Sequence, residues 1–186
     1  APRELDSVFL AVGQRRDVVV DFSAVPLGTE MFLESARRRL LKVIVGRDAP
    51  DPSRIPPQLR PAAPVPPDLP VRTFVIENPR GGWTVNGQAF DLAQPHARLK
   101  RGASEIWVVK HQGSDRRRPL FLRTGPFRIL SRNGVAVGLG RSADLLPGDE
   151  LRLLVTIGDA VGRFVLPCSD RVDEDQGLVI RWDVEP

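Results

Sequence analysis

Gly82-Trp83-Thr84-Val85-Asn86-Gly87-Gln88-Ala89-Phe90 is the stretch from which the fold can be read. Trp83 to Val85 is a short apolar run of strand-forming residues. Asn86-Gly87 follows, the dipeptide that most readily takes the left-handed backbone of a tight hairpin. The same grammar continues to the C-terminus. Short apolar or alternating runs occur at Thr73 to Glu77, Ser104 to Lys110, Pro119 to Leu122, Phe127 to Ser131, Glu150 to Ile157, Gly162 to Leu166 and Leu178 to Val184. Asn133-Gly134 and Pro147-Gly148 punctuate them. Short strands spaced in this way predict an all-β sandwich or barrel from residue 73 onward. The chain has no internal repeats and no heptads.

Upstream the pattern is weaker. Residues 8–22 read as two strands around Gly13, with the alternation of Asp17 to Phe22 suiting a strand. In residues 31–45, Met31, Phe32, Leu33, Leu40 and Leu41 allow a helix, whereas Lys42-Val43-Ile44-Val45 has strand composition. Residues 47–71 contain Pro50, Pro52, Pro56, Pro57, Pro61, Pro64, Pro66, Pro67 and Pro70. No central strand or helix survives that density, so an extended surface connector is expected.

The 186 residues suffice for one domain or one and a half. A net charge of +4 is carried almost wholly by arginine, since Lys42, Lys100 and Lys110 are the only lysines. The arginines are scattered along strand-like runs, without a basic helix or an aromatic RNA-binding motif. A solvated surface is expected, and no nucleic-acid partner. The lone Cys168 excludes an internal disulfide. No apolar run reaches membrane-spanning length and no signal peptide opens the chain. It starts at Ala1 without an initiator methionine, as a processed or cut piece would.

Three local patterns suggest chemistry, and each has a plainer reading. Gly138-Leu139-Gly140-Arg141-Ser142-Ala143 matches G-x-G-x-x-A. A dinucleotide site needs a helix to start there, and Pro147-Gly148 breaks the chain shortly after, so the match is rejected. Asp170, Asp173, Glu174 and Asp175 form an acidic group. Val172 and Gly177 fall where a calcium loop needs oxygen ligands, so a charged structural turn is expected. His96 and His111 are the only histidines. Neither has ligand-like spacing to the other or to Cys168, and surface or hydrogen-bonded roles are expected. A reactive Cys168 is the least favoured reading, because a buried thiol is usually inert.

Taken in order, several stretches resemble multicopper oxidases, bilirubin oxidases and spore-coat laccases above all. Gly13-Gln14-Arg15-Arg16-Asp17-Val18-Val19-Val20-Asp21-Phe22 resembles G-E-R-x-D-V-x-V-D-F of their second domain. Trp83 to Phe90 resembles the W-T-I-N-G-x-x-F that opens the third. Glu105-Ile106-Trp107 resembles E-x-W, Phe127 to Gly134 resembles F-x-V-L-S-R-N-G, and Leu146-Pro147-Gly148-Asp149-Glu150 resembles the P-G-E loop. Pro167-Cys168-Ser169-Asp170-Arg171-Val172-Asp173-Glu174-Asp175-Gln176-Gly177-Leu178 resembles the closing motif His-Cys-His-x-x-x-His-Glu-Asp-x-x-Met. The resemblance implies a cupredoxin-like Greek-key β-sandwich with part of a second cupredoxin domain. Residues 1–46 would be the tail of domain two, 47–72 a Pro-rich linker and 73–186 domain three, with domain one absent.

The same resemblance implies a degenerate copper site. Arg118-Pro119-Leu120-Phe121-Leu122-Arg123 stands where the family has His-Pro-x-His-x-His. Arg118, Cys168, Asp173 and Leu178 fall on the type-1 positions. Phe121, Arg123, Pro167 and Ser169 fall on type-2 and type-3 positions. Leu178 replaces the axial methionine, a change that many active members share. Arginine stays protonated and offers no lone pair. Phenylalanine and proline cannot ligate, and one thiolate with one carboxylate does not recreate the His₂Cys geometry of blue copper. Arg118 and Asp173 are expected to form an ion pair across the old site, and Arg123 has Asp170 as a further candidate partner.

No catalytic residue, metal ligand or cofactor is therefore expected. The first functional reading is a copper-free module with a structural or protein-interaction role. Its partner would be another protein or the absent N-terminal cupredoxin domain. The alternative is a copper-dependent oxidoreductase, laccase-like or bilirubin oxidase-like, completed by a missing N-terminal part or another chain. Copper would return as cofactor if the ligands align otherwise. Family resemblance also implies export to the periplasm or beyond.

Overall fold

The computed structural model describes residues 4–10, 17–58, 61, 63–79, 82–113, 118–120, 127–137, 143–167 and 171–186, with the backbone alone at 118–120, 143, 144 and 167. The chain divides into two units, one of residues 1–6 and 16–62, the other of 7–15 and 63–186.

The first unit is built on a hairpin of β1 (Glu30–Ser35) and β2 (Arg38–Ile44). Its two turn residues, Ala36 and Arg37, both have positive φ, as a two-residue turn between right-twisted strands requires. The helix allowed for Met31 to Leu41 is thus excluded, and strand composition decides. The Arg39 guanidinium lies 3.9 Å from the centroid of the Phe32 ring. Among the described residues of this unit none is buried.

The two strands expected over 8–22 do not form among the described residues, because 7–10 and 17–22 lie in no ladder. Val18, Val19 and Val20 are all exposed. Strand propensity reflects packing against neighbouring strands, and alternation without a neighbour does not produce one. Residues 11–16 lie outside the described part. The Pro-rich connector has no regular element among its described residues, and β3 begins at Val71.

The second unit is a sandwich. Its larger sheet contains β3 (Val71–Glu77), β4 (Thr84–Val85), β5 (Gln88–Ala89), β7 (Ser104–His111), β9 (Phe127–Arg132), β10 (Val135–Ala136) and β12 (Glu150–Thr156). Their order is β10-β9-β12-β7-β3-β4-β5. A smaller sheet has the order β13-β14-β6, from β13 (Gly162–Pro167), β14 (Val179–Glu185) and β6 (Ala97–Lys100). A third pairing joins β8 (Arg118–Leu120) to β11 (Ala143–Leu145). One short helix, α1 (Arg171–Asp175), precedes β14. Sequence reading finds the longer strands and misses β5, β6, β10 and β11, which are short or lack an apolar run.

Alternation supplies the core. In β12, Leu151, Leu153 and Val155 are buried while their neighbours are not. β7 pairs with β3 in parallel and with β12 in antiparallel register. Trp107 on β7 meets Phe74 at 4.9 Å and Trp182 of β14 at 5.5 Å, both edge-on, the favoured geometry for aromatic pairs. The indole N–H of Trp107 donates to Glu105 at 3.1 Å. Arg72 holds the same carboxylate through Nε at 2.9 Å and Nη2 at 3.0 Å. A buried carboxylate is tolerable because this fork and the indole satisfy it.

Both Asn-Gly turns also act as pegs. Asn86 and Gly87, and Asn133 and Gly134, have positive φ. Asn86 Oδ1 accepts from Val75 N–H at 2.7 Å while Asn86 N–H donates to Val75 O at 2.8 Å. Asn133 does the same with Glu150, at 2.7 and 2.8 Å.

Replacing Trp107 by alanine removes the ring around which both sheets close. Chemical denaturation should show a loss of about 3–5 kcal/mol, with Glu105 left short of one donor.

Candidate functional site

The inward positions of β7 run from Glu105 through Trp107 and Val109 to His111, two residues apart. His111 therefore ends the row inside the sandwich, fully buried and in register with Ile76 of β3. Its ring stacks on Trp83 at 6.0 Å. The surface histidine that the sequence allows is not found here, and the period of two from Trp107 was the signal that would have located it. Gly113 seals the same corner. A methyl group there would stand 2.8 Å from the Trp83 ring and 3.2 Å from His111 Nε2.

The loop after β11 holds His111 from the other side. Pro147 and Gly148 form a turn closed by Asp149 N–H to Leu146 O at 2.9 Å, with Gly148 at positive φ, as a type II turn needs. His111 N–H then donates to Asp149 O at 2.9 Å, and Gly148 N–H to His111 O at 2.8 Å. The buried Asp149 carboxylate accepts from Leu146 N–H at 2.8 Å, from Asn133 Nδ2 at 2.9 Å and from Arg132.

Of the acidic group, Asp173, Glu174 and Asp175 lie in the helix α1 rather than in the expected turn. The α1 segment ends in a Schellman motif: Gly177 N–H donates to Glu174 O at 2.9 Å, and Leu178 N–H to Asp173 O at 2.8 Å. Gly177 has φ +93°, the left-handed cap that such a helix end requires. Gly followed by an apolar residue was the legible signal for this stop. The motif places Leu178 in the core with Trp83 and Leu145 and leaves Asp173 buried on the helix. Trp83 N–H donates to Gln176 O at 3.3 Å, tying the helix end to the start of β4.

Of the positions assigned by resemblance, only some can be located. Arg118 opens β8 and its backbone pairs with Leu145, while Pro167 ends β13. Cys168, Ser169, Phe121 and Arg123 lie outside the described residues, as does Asp170. So do residues 138–142 of the rejected dinucleotide match, and Ala143 begins β11. Asp173 and Leu178 are joined through the helix cap, and Leu178 shares its cluster with Leu145. Asp173 offers a hard carboxylate oxygen and Leu178 an apolar side chain, both buried. Among the described residues no three His, Cys, Asp or Glu side chains gather as a metal site. Nor is any helix among them long and apolar enough to cross a membrane.

His96, by contrast, is hydrogen-bonded as expected. Its Nδ1 accepts from Arg181 N–H at 3.0 Å and its own N–H donates to Arg181 O at 2.8 Å. Burial, aided by the nearby Arg181 charge, pushes its pKa below the ordinary histidine value, against opposing backbone interactions with Arg181 and Gln88.

No protein-family model matches the chain. A laccase of Haloferax volcanii is 28% identical over 213 residues, covering 98% of this chain and 35% of the laccase. The chain thus spans about a third of that relative's length. Among solved structures, a multicopper oxidase from Pediococcus acidilactici superposes with a TM-score of 0.73 at 23% identity, over 89% of this chain and 37% of the other. One from the hyperthermophile Aquifex aeolicus gives 0.69 at 17% identity, over 90% and 43%. The fold is the cupredoxin-like β-sandwich of these enzymes, and in sequence the chain is similar to a laccase.

Proposed function

We propose that this chain is a cupredoxin module without the usual copper, serving a structural or protein-interaction role. The supporting observation is Asp173, which falls on a copper-ligand position by resemblance and is a buried carboxylate. Arg118, Phe121, Arg123, Pro167 and Ser169 are equally unsuited to copper by residue type, and Cys168 alone keeps a ligand. In this reading Arg118 and Asp173 pair as ions across the former site, exchanging a metal–ligand set for a salt bridge.

Residues 1–46 fit the tail of a second cupredoxin domain. The absence of any buried residue among the described part of the first unit supports this, since such a hairpin does not hold its shape alone. The partner in this reading is a protein surface, either an N-terminal cupredoxin domain or a separate chain, and the location is outside the cytoplasm. A second reading, a copper-dependent oxidoreductase completed by further chain or another subunit, is favoured by the extent of the laccase match, which leaves about two thirds of that enzyme's length uncovered.

Elemental analysis after purification with added copper separates the two. The module reading expects no stoichiometric copper and no blue copper–thiolate absorption. Copper bound one-to-one with a blue band would overturn it and call for assays of phenol oxidation.

Arg118→Ala should destabilise the protein by about 3–5 kcal/mol, the cost of leaving one buried charge unpaired. A double-mutant cycle with Asp173→Ala checks it, and a coupling energy near zero would remove the ion pair from the reading.

A further inference from the structure

His96 occupies an unusual place. It precedes β6, whose Ala97 pairs with Trp182 of β14 in parallel register, and it engages both main-chain groups of Arg181. The carbonyl of Arg181 takes the His96 N–H at 2.8 Å. The N–H of Arg181 donates to the imidazole Nδ1 at 3.0 Å. A side-chain nitrogen thus stands where a strand carbonyl would continue the ladder. Nδ1 accepts only while it carries no proton, so the ring is the neutral tautomer with its hydrogen on Nε2.

The Arg181 side chain, itself buried, secures the same segment. Its Nη1 donates to Leu92 O at 2.7 Å, and its Nη2 grips both oxygens of Asp183 at 2.8 and 2.9 Å. Within the segment, Asp91 Oδ1 accepts from Ala93 N–H at 2.7 Å. Phe90 at its start lies beside Gly177, where an added methyl would stand 3.9 Å from the Phe90 Cβ. The segment therefore runs from the helix cap that seats Leu178 to the clamp on β14.

We propose that His96 is an acid-sensitive latch: its neutral imidazole holds the segment 90–96 on β14, and protonation releases it. A proton on Nδ1 turns the acceptor into a donor that faces the Arg181 N–H, and it places a second positive charge beside the Arg181 guanidinium. Among the surrounding charged groups, Asp183 is engaged by that guanidinium. Arg98 on β6 pairs with Glu185 at 3.3 Å, Asp91 caps its own turn, and β5 presents the uncharged Gln88. Each of these acids already has a partner of its own. Release frees the main chain of Arg181 and loosens Phe90 against the helix cap.

The sign follows from the lowered pKa. The latched state binds the proton less well than the open one, whose histidine titrates near the ordinary 6.5. The latch contributes fully above that value and is lost as pH falls through the lower, latched value. Between the two values each pH unit shifts the latched-to-open ratio by up to about tenfold for one proton, and below the lower one the ratio levels off.

An NMR titration of the intact chain tests this, reading the imidazole nitrogens of His96 together with hydrogen exchange at the Arg181 amide. The expected result is an Nε2–H tautomer at neutral pH and titration below the ordinary value. Arg181 exchange, corrected for its intrinsic pH dependence, should accelerate through the same range. His96→Gln, whose amide oxygen accepts but does not titrate, should abolish that acid response. Protection of Arg181 that stays constant throughout, a proton on Nδ1 at neutral pH, or an undiminished acid response in His96→Gln would each overturn the proposal. If the variant does not fold, the imidazole titration and Arg181 exchange of the unaltered chain decide.

Discussion

The sandwich depends on the burial of one strand. β7 lies between β3 and β12 and presents Trp107 to the opposite sheet, where Trp182 meets it edge-on. Burying an indole brings its N–H along, and an unsatisfied N–H there would cost about 1–3 kcal/mol. Glu105, on the same face two residues earlier, accepts that proton, and Arg72 of the neighbouring strand neutralises Glu105. The Trp107 ring, its acceptor and the counter-ion therefore form one unit spanning two strands, and the parallel register of β3 on β7 that brings Arg72 opposite Trp107 is what makes it possible.

The sheet edges are fixed by a repeated device. At Asn86 and at Asn133 the turn needs left-handed backbone, which asparagine tolerates. In each case the same residue lends its side-chain amide to an adjoining strand, Val75 of β3 or Glu150 of β12. Asn133 reaches further, to the buried Asp149, which also gathers Arg132 and the Leu146 N–H. That carboxylate orders the turn whose backbone holds His111. Turn chemistry and core placement are thus one network rather than separate features.

The end of the sandwich around Trp83, His111 and α1 is held largely by backbone geometry. A Schellman cap there needs only glycine at one position and backbone hydrogen bonds, so it is indifferent to the residues at Asp173 and Leu178. The frame can therefore persist whatever side chains those two positions carry. Fold similarity to oxidases consequently carries little information about redox function, whereas residue type at each position carries much. The proposed latch is built from a different part of the same scaffold, with the ladder between β6 and β14 extended by an imidazole.

Much of this architecture is legible in the amino-acid order. Alternation in β12, the Asn-Gly turns and the run of prolines report local preferences that need no partner to be expressed. The family resemblance extends the reading to the fold and the ligand positions. Where partners matter, the sequence misleads or is silent. The valines at 18–20 alternate well enough to suggest a strand, yet no ladder forms there among the described residues. Strands β5, β10 and β11 are too short to show a period, and β6 is a four-residue alternation without an apolar run; all four exist because a neighbour supplies hydrogen bonds. The coupling of His96 to Arg181, 85 residues apart, has no local trace at all. Sequence alone determined which segments favour strand or turn and which residue types stand where the family resemblance implies ligands. Only the tertiary structure decided which polar side chains were buried and what satisfied them, because desolvation and hydrogen bonding depend on neighbours brought together from distant parts of the chain.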